Sequence, residues 1–177
     1  MKAKPEVVQK VSRYTTPWFD IIAKTIRGGA GIGSEPYYTV RSKDYVTILA
    51  FTCSGEAVLV RQYRPAVEDF TLELPSGHVE PDETASSAII RELQEETGYV
   101  ARNVELLGCL VPDTGRLENR LWCYFADGVA PGKRRHEEDI QVELCPKQKL
   151  LEFIGSGKLS HALDLAVIVL AISKNRL

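Results

Sequence analysis

Three glutamates, Glu92, Glu95 and Glu96, crowd the end of a segment whose apolar spacing predicts a helix over 84–97. At about 100° per residue, with Arg91 at zero, Glu95, Glu92 and Glu96 project near 40°, 100° and 140°. Ile89, Leu93, Ser86 and Ile90 span roughly 160° to 260°, so a core stripe lies beside a carboxylate patch. Glu92 and Glu96, four apart, repel one another by roughly 0.2–0.5 kcal/mol in an isolated helix. A hard divalent cation would relieve that repulsion, and Mg²⁺ commonly takes one or two carboxylates together with waters and substrate phosphates. An acidic face left to solvent has the same composition; the residues around it decide between the two readings.

Those residues run Gly77, five residues, Glu83, seven residues, then Arg91-Glu92-Leu93-Gln94-Glu95-Glu96-Thr97-Gly98-Tyr99. The run resembles the Nudix box, Gly-x5-Glu-x7-Arg-Glu-U-x-Glu-Glu-x-Gly-U with U bulky and apolar; aromatic Tyr99 is a mild departure. The resemblance implies an α/β Nudix fold, a mixed β-sheet sandwiched between helices, and a hydrolase acting on phosphoanhydrides. It also implies a metal site for Mg²⁺, with Mn²⁺ as a possible substitute, built by Glu92 and Glu96, often assisted by Glu95 and completed by the Ser76 backbone carbonyl. Metal ions that bridge phosphate oxygens and activate water suit that chemistry. Glu83 and Arg91 either join the site or brace the loop on the helix through charged hydrogen bonds, the latter being favoured.

Ahead of the box, Arg61-Gln62-Tyr63-Arg64-Pro65 and Leu72-Glu73-Leu74-Pro75-Ser76-Gly77 are similar to the ADP-ribose and nucleoside diphosphate sugar pyrophosphatase branch. By that resemblance Arg64 contacts a substrate phosphate, a task for which its planar fork is suited, although a strand-end ion pair would use the same residue. Glu73 either braces Arg64 or touches the ligand. Asp113 matches a loop position on the sugar side, and aspartates there also start turns. The same resemblance implies a water-activating base on the loop before a late strand, which is expected at Glu138, with Glu137 as runner-up, His136 third and Glu95 a further candidate, unless this acidic run beside Lys133-Arg134-Arg135 is only an exposed charged loop. Trp18, Phe19, Tyr37 and Tyr38 offer rings that could stack on a base or pack an interface. The branch is generally homodimeric. Pro112 lies closer to the box than the proline of ADP-ribose-specific members, so other ADP- or GDP-sugars stay open. The expected reaction is hydrolysis of a nucleoside diphosphate sugar to a nucleoside monophosphate and a sugar phosphate. The alternatives are a pyrophosphohydrolase of nucleoside triphosphates or capped RNA and, further off, a catalytically silent ADP-ribose sensor.

The elements that must position these residues read as follows. A β-hairpin extension over 1–42 is expected from strands near Trp18–Arg27 and Tyr37–Arg41, joined by Gly28-Gly29-Ala30-Gly31-Ile32-Gly33. That loop lacks dinucleotide-binding spacing, because Ser34 stands where a glycine is required. A Nudix domain over 43–177 is expected to hold strands at 45–53, 57–63, 71–74, 105–111, 120–126 and 140–144. Helices are expected at 84–97, 147–153 and 161–174, the first closed by Gly98.

Composition narrows the partners. The chain has 22 Lys plus Arg against 24 Asp plus Glu, and this net charge of −2 gives no broad reason to bind nucleic acid or an anionic membrane. Cys53, Cys109, Cys123 and Cys145 contain no Cys-x-x-Cys pair and suit reduced thiols in the cytoplasm. The first 16 residues hold no signal-like apolar run, and Asp164 interrupts the most apolar stretch, 162–172, well short of the roughly 20 residues a span needs.

Overall fold

The computed structural model describes residues 4–28, 35–132 and 139–177. They form two compact units, Met1–Asp44 with Val111–Arg120, and Tyr45–Leu110 with Leu121–Leu177.

The first unit is an antiparallel three-stranded sheet in the order β1-β2-β3: β1 (Glu6–Thr15), β2 (Asp20–Arg27) and β3 (Tyr37–Arg41). The expected hairpin is β2–β3, and β1 is an addition. Its sequence gave no alternation to read, because nearly every residue of this edge strand is exposed. Trp18 falls in the turn between β1 and β2, where Thr16 Oγ1 accepts from the backbone N–H of Trp18 (3.1 Å) and Phe19 (2.9 Å). Segment 111–120 joins this sheet through Val40: its N–H donates to Arg116 O at 2.8 Å, and its carbonyl accepts from Glu118 N at 3.0 Å. Glu118 ties the unit together, accepting from Lys24 Nζ (2.7 Å), Arg41 Nε (3.2 Å) and the Thr39 hydroxyl. Burial alone would raise its pKa, but these donors outweigh it and hold the carboxyl down to about 2.

The second unit is a mixed sheet sandwiched between helices. Its strands are β4 (Tyr45–Thr52), β5 (Glu56–Arg64), β6 (Asp69–Glu73), β7 (Ser76–His78), β8 (Tyr99–Val100), β9 (Glu105–Leu110), β10 (Leu121–Pro131) and β11 (Gln141–Pro146). The main path is β11-β5-β4-β10-β8, with β10 parallel to β4 and the other pairs antiparallel. Period-two alternation divides the core. Leu49 and Phe51 of β4 pack with Leu150 of α2 (Leu150–Gly155) and with Val167, Ile168 and Ala171 of α3 (Ala162–Ser173). Val46, Ile48 and Ala50 join Ala88, Ile89 and Leu93 of α1 (Ala85–Thr97) on the other face. Each fully buried Val, Leu, Ile or Phe among them contributes about 1.5–3 kcal/mol. The two-residue β8 and three-residue β7 are too short for a periodicity to show.

Helix α1 has both expected ends. The Thr84 hydroxyl accepts from Ser87 N (3.2 Å), and Ser87 Oγ returns the favour to Thr84 N (3.0 Å), a reciprocal cap. Gly98 closes the helix at φ 74°, a left-handed conformation that glycine adopts without strain.

Candidate functional site

Strand β7 runs antiparallel to β4, with Gly77 opposite Val46 and Ser76 opposite Thr47. This fixes the Ser76–Gly77 backbone beneath the C-terminal half of α1. Glu96 Oε2 accepts from Ser76 N at 2.9 Å. Glu92 lies so close to Gly77 that a Cβ there would overlap its Cδ and Oε1 and stand 2.6 Å from its Cγ. Glycine is required here because a carboxylate occupies the space of a side chain.

Arg91 holds this corner together. Its Nε and Nη2 make a forked pair with Glu83 at 3.0 and 2.9 Å, Nη2 also reaches His78 O at 3.1 Å, and Nη1 reaches Glu92 at 2.8 Å and Glu95 at 3.0 Å. These hydrogen bonds lower the Glu83 pKa and raise that of Arg91. Glu83 and Arg91 therefore brace the loop on the helix. Glu92 is different: burial pushes its pKa up, and Arg91 and the His78 backbone relieve only part of that cost.

Glu92 and Glu96 open into a cleft of about 690 Å³ that also contains Ser76, Gly77, Arg64 and His161. At the end of β5, Arg64 makes a bidentate pair with Glu73, Nε–Oε1 at 2.9 Å and Nη2–Oε2 at 2.6 Å. Burial would raise the pKa of Glu73, but the Arg64 and Thr71 hydrogen bonds overcome it and the carboxyl stays ionised. Glu73 thus braces Arg64.

The structure brings Ser76, Glu92, Glu96 and Arg64 to one cleft. Glu95 is outside its lining, on the Arg91 side, with its side chain 27% exposed. Asp113, Tyr37 and Trp18 belong to the first unit. Asp113 Oδ1 accepts from Gly115 N (2.7 Å) and Arg116 N (3.2 Å) and so starts a turn, the Tyr37 hydroxyl donates to Gly115 O, and Trp18 is 77% exposed. Glu138, Glu137 and His136 lie outside the described residues. Sequence reasoning missed His161 and Asp164, which also line the cleft. The available signal was an acid inside the apolar run of α3, which had served only to argue against a membrane span. Among the described residues no helix is long and apolar enough to cross a membrane, and all four cysteines are free thiols.

Among the described residues no three His, Cys, Asp or Glu side chains are grouped to hold a metal by themselves. The available donors are two carboxylates and backbone oxygen. This set fits Mg²⁺, which seldom occupies an all-protein cage and retains water and phosphate ligands.

The NUDIX domain model matches residues 41–162. The chain belongs to the NUDIX family. This Nudix chain is 37% identical over 147 residues to a putative nudix hydrolase 2 of Caenorhabditis elegans, covering 74% of the chain and 66% of that protein. It is 31% identical over 107 residues to an ADP-ribose pyrophosphatase of Bacillus subtilis, covering 59% of the chain and 58% of that protein. The match therefore spans little more than half of the latter's length. A crystal structure of an ADP compounds hydrolase superposes with a TM-score of 0.83 at 17% identity, over 100% of this chain and 99% of the other. At that identity the likeness concerns the Nudix fold.

Proposed function

We propose that this Nudix chain is a hydrolase that splits the pyrophosphate bond of a nucleoside diphosphate sugar, ADP-ribose or another ADP- or GDP-sugar. The products are a nucleoside monophosphate and a sugar phosphate. The observation that carries this reading is the pressing of Glu92 and Glu96 onto the Ser76–Gly77 backbone, in the same cleft as Arg64. The names of the Bacillus relative and of the superposed structure support the choice of substrate class.

Glu92, Glu96 and the Ser76 carbonyl would hold Mg²⁺, or Mn²⁺ in its place, with Glu95 assisting. Bound there, such an ion neutralises phosphate charge and makes a coordinated water more acidic. Arg64, kept in orientation by Glu73, donates to a phosphate. Glu138 is our assignment for the base that takes the water proton, with Glu137 and Glu95 as the candidates to replace it. Tyr37, Trp18 and Asp113 are assigned to substrate contacts in the nucleoside and sugar regions. The exposed aromatic residues of the N-terminal sheet support a homodimer, and the free thiols support a cytoplasmic location.

The test is incubation of the purified protein with nucleoside diphosphate sugars, nucleoside triphosphates and dinucleotides in Mg²⁺, following monophosphate release. Release from the sugars is expected. Activity confined to triphosphates would overturn the substrate assignment. Light scattering with size-exclusion chromatography should give the mass of a dimer, and a monomer at working concentration would refute that part.

A further inference from the structure

The cleft contains a second buried acid for which the proposed reaction has no task. Asp164, in the first turn of α3, is 1% exposed. Its Oδ2 accepts from Leu74 N at 2.9 Å, which anchors the helix to the strand end leading into Ser76. Its Oδ1 lies 3.1 Å from His161 Nδ1, within ion-pair distance, and neither atom has another partner among the described residues. Anchoring needs only one oxygen and no charge. A carboxylate this deeply buried is costly, and here its spare oxygen faces an imidazole. Burial pushes the Asp164 pKa up, and Asp164 in turn raises that of His161.

The same arrangement occurs once more in the cleft. Glu73, 3% exposed, fixes Arg64 through Nε and Nη2, and Arg64 lines the cleft. Two further polar atoms in the lining are buried and have no partner among the described residues: Thr47 Oγ1, on a residue 1% exposed, and Gln62 Nε2. Buried polar groups of this kind are usually satisfied, by an ordered water where no protein group reaches them. Arg64 and His161 both line the cleft and both offer donors to an anion, and a phosphate has the acceptor oxygens to take them.

We infer that His161, aimed by the buried Asp164, is a second phosphate-binding cation of this cleft, acting beside Arg64 on the diphosphate of a nucleotide substrate. His161 touches the ligand, and Asp164 is its positioning residue. The inference rests on the reading of the cleft as the substrate site.

Two measurements test it separately from that reading. The chain has three histidines, His78, His136 and His161, so the imidazole NMR signal absent from His161→Gln identifies His161. ADP titrated into the parent protein in Mg²⁺ should move that signal; a signal unmoved at millimolar ADP overturns the inference. In steady-state turnover of ADP-ribose, His161→Gln should raise KM roughly tenfold or more with kcat nearly unchanged, as loss of a charge-assisted hydrogen bond to bound substrate does. Asp164→Asn, which keeps an acceptor for Leu74, should raise KM by less, and His161→Arg should recover part of the loss. An unchanged KM in His161→Gln would refute the assignment. If the parent cleaves no nucleoside diphosphate sugar while the His161 signal still responds to ADP, the substrate reading falls and the phosphate contact stands.

Discussion

Glu118 in the N-terminal unit and Glu92 in the sheet unit are both poorly exposed carboxylates in ion-pair networks, and their surroundings push them in opposite directions. Glu118 has Lys24, Arg41 and Thr39 to itself, and its pKa is held down to about 2. Glu92 shares Arg91 with Glu83 and Glu95, and its pKa is raised by burial. A carboxylate whose work is structural is surrounded by enough donors to stay ionised. Glu92 is left short of donors, which is what the proposed role of holding a divalent ion would call for.

That contrast can be broken by substitutions on either side. The largest effect is expected from Glu138→Gln, which should lower kcat by about 10²- to 10⁴-fold if Glu138 is the base. An unchanged rate would transfer the role to Glu137 or Glu95. Glu96→Gln should cost on the order of 10²-fold or more in Mg²⁺-supported turnover, with little change in thermal midpoint. Turnover near the parent rate would remove Glu96 from the metal site. Gly77→Ala should destabilise by about 1–3 kcal/mol through overpacking, or displace Glu92 and weaken Mn²⁺ binding; denaturant titration and Mn²⁺ calorimetry distinguish the two. A neutral alanine would contradict the close approach described for Glu92.

The smallest effect on activity, and the sharpest contrast, should come from Glu118→Gln. It should lower stability by about 1–3 kcal/mol while kcat stays at the parent value. The sign with pH is fixed. Because the folded pKa of Glu118 lies below the ordinary 4.5, its contribution is complete above about pH 4.5 and disappears as pH falls toward about 2. Thermal midpoints of the parent and Glu118→Gln should therefore converge across that acid window. Parallel curves would show that Glu118 does not carry the network.

Much of the site was legible in the sequence because its parts are local. Helix α1 announces itself by its apolar stripe and Gly98, and it carries Glu92 and Glu96, the proposed metal-site glutamates, at fixed spacing. Gly77 was readable as the first position of the box, but that the Glu92 side chain fills the space of a Cβ there was not. The role of Glu73 needed three dimensions, since its pairing with Arg64 follows from the β5–β6 register. His161 and Asp164 stayed hidden for a related reason: the partner of Asp164 is a backbone N–H ninety positions earlier, and no periodicity reports such a bond. Strand β1 was invisible because an exposed edge strand has no buried face to pattern.

The return of residues 111–120 to the N-terminal sheet has a bearing on how the protein is made and cut. Tyr37 and Gly115, 78 positions apart, meet within one unit, so that unit cannot be completed during synthesis until residues 111–120 have been made. A graft of this module onto another scaffold would have to carry two separate pieces of polypeptide. A truncation at residue 44 would leave the second piece behind, with Val40 no longer there to receive it.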